Sequence, residues 1–90
     1  MKAIITDNEA LQALKPQQIE NYLLKKGYPC TETSIEATYW GIGDWELGLP
    51  SRINYADYSF RVCDMLTTLA NAENRSQLEI YAEIANEERQ

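Results

Sequence analysis

Asp44 and Glu46 flank Trp45, and two carboxylates on one strand face could hold a divalent ion. A hard cation takes about six oxygen ligands, and nothing nearby supplies a third, so a solvated turn is the better reading. Nucleophilic chemistry fares no better. A serine or cysteine needs a neighbouring group to take its proton, most often histidine, and the chain has no histidine. An enzyme would then need paired carboxylates in a cleft, for which 90 residues leave little room. No catalytic residue, metal site or cofactor is expected, and the chain is read as a non-enzyme.

Binding is the alternative, and here the residue types say more. Tyr28, Tyr39, Trp40, Trp45, Tyr55 and Tyr58 form a rich aromatic set. Aromatics on a sheet usually fill core, and long helices could cover both sides. Trp40, however, has the opposite parity to Ile35, Ala37 and Tyr39. If one sheet face packs on helices, the Trp40 face is open, and an exposed Trp is a typical interface anchor. Glu79, Glu83 and Glu87 recur every four residues, with Glu88 beside the last. Like charges at that spacing are mildly unfavourable, so the stripe is either a solvated face or a surface for a basic partner. Trp40, Trp45, Glu79, Glu83 and Glu87 are therefore the candidate partner-binding residues. Asp57 and Arg61 stand at i, i+4 and read as a helix-stabilising pair rather than a ligand site.

Charge narrows the partner. Fourteen acids against eight bases leave a net charge of −6, which weighs against direct nucleic-acid binding, since that affinity comes from Lys and Arg neutralising phosphates. A sheet-borne stacking platform would need the same missing basic groove. No run of about 18 apolar residues exists to cross a membrane. Met1–Asp7 meets acid too early for a signal-peptide core. A cytoplasmic protein is expected, with Cys30 and Cys63 as free thiols buried as small hydrophobes.

The elements that must position these residues form one small domain spanning 1–90. Thr6 and Glu9 fit a capping box that starts a short helix with Leu11 and Leu14 inward. Pro16 opens a second helix, whose face is Ile19, Tyr22 and Leu23 and whose stop is Gly27. Alternation then replaces helical spacing: Ile35, Ala37 and Tyr39, a turn at 41–44, then Trp45, Leu47 and Leu49. That is a hairpin. Tyr28–Thr31 can add a first strand, which Pro29 would place at an edge. Tyr55, Tyr58, Val62, Met65, Leu66 and Leu69 mark the clearest amphipathic helix, its stripe widened by Phe60 and Cys63. Ser76 and Glu79 form a second capping box before a last helix carrying Leu78, Ile80, Tyr81 and Ile84. The fold class is α+β: two short N-terminal helices, a two- or three-stranded antiparallel meander, and two longer C-terminal helices.

Taken together, Tyr22-Leu23…Gly27-Tyr28, Leu47-Gly48-Leu49-Pro50, Asp57-Tyr58-Ser59-Phe60-Arg61 and Glu73-Asn74-Arg75-Ser76-Gln77-Leu78 resemble the N-terminal portion of a group of uncharacterised prokaryotic proteins. The resemblance covers most of positions 11–85 and implies no catalytic or binding residue. Members of that group are usually longer, which favours a portable docking unit. The expected function is thus a small acidic protein-interaction module that docks on a larger protein with a basic contact surface, or else a homodimer. A phage- or plasmid-type inhibitor that imitates nucleic-acid charge on its last helix is the alternative; a carboxylate-dependent enzyme ranks last.

Overall fold

The computed structural model describes residues 8–52 and 56–87. Within them the elements run α1 Asn8–Ala13, α2 Pro16–Lys26, β1 Cys30–Thr33, β2 Ala37–Ile42, β3 Trp45–Pro50, α3 Tyr58–Glu73 and α4 Gln77–Asn86. The strands pair antiparallel in the order β1-β2-β3. The fold is therefore α+β, with a three-stranded meander between two pairs of helices. Thr6 and Tyr55, assigned above to a helix cap and to the start of the third helix, lie outside the described residues.

Each helix follows from local chemistry. Pro16 fixes a helical φ at the first position of α2, where its missing N–H costs nothing. Gly27 ends α2 at φ 87°, and its N–H closes on the Leu23 and Leu24 carbonyls. Buried Gln18 accepts from the Lys15 N–H at 2.7 Å and donates to the Ala85 carbonyl at 3.1 Å, tying α2 to α4. At the start of α4, Ser76 Oγ accepts from the Glu79 N–H and the Glu79 carboxylate accepts from the Ser76 N–H. The capping box read from the sequence is present.

The core face of α3 carries Tyr58, Val62, Met65, Leu66 and Leu69, all buried. The Tyr58 hydroxyl donates to the Leu14 carbonyl, and the Tyr81 hydroxyl to the Ala10 carbonyl at 2.7 Å, so α1 is held by α3 and α4. Two assigned core residues do not belong there: Phe60 and Leu78 are exposed. Each stands two residues before a core residue (Val62 or Ile80), which at about 100° per residue turns it to the far side of its helix.

Gly43 and Asp44 join β2 to β3. Gly43 takes φ 62° and Asp44 is not left-handed, the pattern of a type II′ turn that needs glycine first. This sets the register Ile42↔Trp45, Trp40↔Leu47 and Thr38↔Leu49. Trp40, Ile42 and Leu49 enter the core. Trp40 is only 3% exposed, and its indole N–H donates to Thr38 Oγ1 at 2.8 Å. The outward Trp40 read from the sequence is thus corrected. Helix α3 packs against β3 and β2 on the Trp40 side, and Tyr39 takes the opposite face, its ring packed on Gly48. Ile35, used above to set the parity, lies outside the strand and is exposed. Strand β1 starts two residues later than the Tyr28–Thr31 segment read from the sequence, and all four of its residues are exposed. Cys30 is therefore an exposed edge thiol and Cys63 is half-buried, contrary to the expected pair of buried thiols; both are free.

Candidate functional site

The acidic stripe of α4 is not an unengaged surface. Glu79 belongs to the Ser76 cap. Glu83 receives both terminal nitrogens of Arg75, at 2.9 and 3.2 Å, and lies 3.6 Å from Lys26 Nζ. Glu87 pairs with Lys25 at 3.2 Å. Hydrogen bonding from Arg75 holds the Glu83 carboxyl below the usual range, and the same contact raises the guanidinium. The like-charge repulsion expected from spacing alone is offset by cations from α2 and from the α3–α4 turn.

Glu73, at the end of α3, extends this network. Its carboxylate accepts from the Tyr22 hydroxyl at 2.8 Å, the Tyr28 hydroxyl at 2.8 Å and Arg75 at 3.2 Å. Burial first, and the bonded Glu73 second, push both phenols up, Tyr28 to about 12. Glu73 is a clasp between α2, the approach to β1 and α3, and its position in a pattern break hid it from sequence reasoning.

The candidate site lies at the β2–β3 hairpin tip. Trp45 is 68% exposed at the hairpin tip. Beside it runs a groove of about 400 Å³ between the hairpin and the outer side of α3. Asp44, Trp45 and Leu47 form the hairpin wall; Asp64, Thr68 and Asn71 form the α3 wall. Asp64 and Asn71 are seven residues apart, two turns along one helix face. Among the described residues, no Lys or Arg lines the groove. The ion pairs among the described residues engage Asp57, Glu73, Glu83 and Glu87, and leave Asp44 and Asp64 out. Exposed Phe60 stands one turn before Asp64 on the same helix.

Against protein-family models, curated proteins and solved structures, the chain finds no match.

Of the candidate partner-binding residues, only Trp45 lies at this groove, beside Asp44, which the sequence singled out for a metal rather than a partner; Trp40 is in the core, and Glu79, Glu83 and Glu87 are on or at the end of a different helix with partners of their own. Asp64, Thr68 and Asn71 were missed because polar positions on an exposed helix face look the same whether or not a hairpin lies beside them. The Asp57–Arg61 ion pair is present at 3.1 Å. It borders a second cavity, of about 460 Å³, with Tyr39 and Gly48 on the far sheet face. Among the described residues, no three His, Cys, Asp or Glu side chains group as metal ligands, and no helix is long and apolar enough to cross a membrane.

Proposed function

We propose that this chain is a small, non-catalytic, cytoplasmic docking module whose partner is a larger protein with a basic contact surface, and that the groove beside Trp45 is its working face. The observation that carries this is the exposed Trp45 at the rim of a groove lined by Asp44 and Asp64 and, among the described residues, by no cation. A large aromatic left in water costs solvation that an interface recovers, and Trp is among the residues that dominate binding energy. Unpaired carboxylates beside it steer a basic surface toward that anchor. The nucleic-acid-mimic reading needs ordered carboxylates facing outward from the last helix. It loses support because Glu79, Glu83 and Glu87 are engaged within the chain.

The test is affinity capture from an extract of the source cell with three baits: the wild type, Trp45→Ala, and Asp44→Asn combined with Asp64→Asn. A partner retained by the wild type should be lost with Trp45→Ala. With the double Asn variant it should elute at lower salt. Equal capture by all three baits contradicts the proposal.

A further inference from the structure

We infer that the side chain this groove recognises is arginine, presented by the docking partner; the inference rests on the docking reading above. Three features converge. The first is the indole of Trp45, left open to solvent. The second is a set of acceptors on both walls: the Asp44 and Asp64 carboxylates and the Asn71 amide oxygen. The third is charge. The structure pairs Lys25, Lys26, Arg61 and Arg75 with carboxylates elsewhere, and none of them lines the groove.

A cation is the natural occupant of such a site, and the geometry separates the two cationic side chains. A lysine ammonium is a compact, strongly hydrated point charge that sits well on one acceptor. A guanidinium is planar, weakly hydrated and carries five donors in a fixed fork. It can stack flat on the Trp45 ring while its edges donate to acceptors on opposite walls. Thr67 is not counted among those acceptors, because its hydroxyl already donates to the Cys63 carbonyl and accepts from Gln77. A second copy of this chain is a poorer occupant, since each copy brings the same net negative charge to the contact.

The experiment titrates the isotope-labelled full chain at low salt with three blocked pentapeptides, identical except for a central Arg, Lys or citrulline. The readouts are the Trp45 indole N–H shift and the amides of Asp44, Asp64 and Asn71. The Arg peptide should bind several-fold more tightly than the Lys peptide, and the uncharged citrulline peptide should not bind. Trp45→Leu, whose fold is checked by its melting curve, should remove the Arg-over-Lys preference. Asp44→Asn with Asp64→Asn should weaken both cationic peptides. Equal affinity for Arg and Lys overturns the arginine inference and leaves basic docking standing. Shifts confined to other surfaces, or none with any peptide, overturn both. Concentration-dependent self-association that Trp45→Leu abolishes would make a second copy the occupant and overturn the inference.

Discussion

Replacing Glu73 by Ala should be among the most damaging single changes outside the apolar core. Its carboxylate is 13% exposed and is shared by three donors: Tyr22, Tyr28 and Arg75. Tyr22 is fully buried, so its hydroxyl loses its partner where water cannot readily replace it. An orphaned buried hydroxyl costs about 1–3 kcal/mol. Tyr28 and Arg75 are only partly buried, and their lost bonds add about 1 kcal/mol together after solvent screening. The expected loss is about 2–4 kcal/mol. Urea unfolding followed by far-ultraviolet circular dichroism measures it. Tyr22→Phe alone should cost about 1 kcal/mol, and the double variant should cost less than the sum by a similar amount. A Glu73→Ala protein within about 0.5 kcal/mol of wild type, the range of an ordinary surface change, would refute the clasp, as would strict additivity.

The two tryptophans should behave oppositely in the same assay: Trp40→Ala should cost about 3–5 kcal/mol as a core deletion, and Trp45→Ala should stay within about 0.5 kcal/mol. Glu83→Ala should destabilise by about 0.5–1 kcal/mol, because the lost Arg75 and Lys26 contacts are half-exposed; an unchanged or raised midpoint would mean that repulsion along α4 governs instead. Tyr28 holds its proton to about 12 against an ordinary 10, so its contribution is complete below the unfolded value and is lost as pH rises through the folded one. Urea midpoints should therefore fall between pH 10 and 12, and Tyr28→Phe should flatten that fall.

What was legible in the sequence was what repeats locally. Tyr58, Val62, Met65, Leu66 and Leu69 share one helical stripe, and any neighbour that covers it must bury them together. The Ser76–Glu79 box and the Gly27 stop need only their own turn of chain. Parity in the hairpin was legible too, but its sign was not. Trp40 and Tyr39 are equally good on either face, and only the placement of α3 decides which one is core. The acidic stripe misled for a related reason. Glu83 is seen as repulsive when α4 is considered alone; its partner Arg75 lies in the preceding turn, and Lys26 comes from a helix 57 positions earlier in the chain. Trp45 was singled out with Trp40 on the premise of an open sheet face; it is exposed at the hairpin tip, whereas Trp40 on the same face is buried in the core. The groove's other wall, Asp64, Thr68 and Asn71, was not singled out, since a polar helix face carries no mark of what packs beside it.

The most direct test of the docking claim is a map of amide and indole shifts on the labelled protein as the partner captured by the wild-type bait is added. The Trp45 indole should move furthest, with Asp44, Asp64, Thr68 and Asn71, while α4 and Glu87 at its end stay still. Shifts centred on α4, with the Trp45 indole unmoved, would contradict the account.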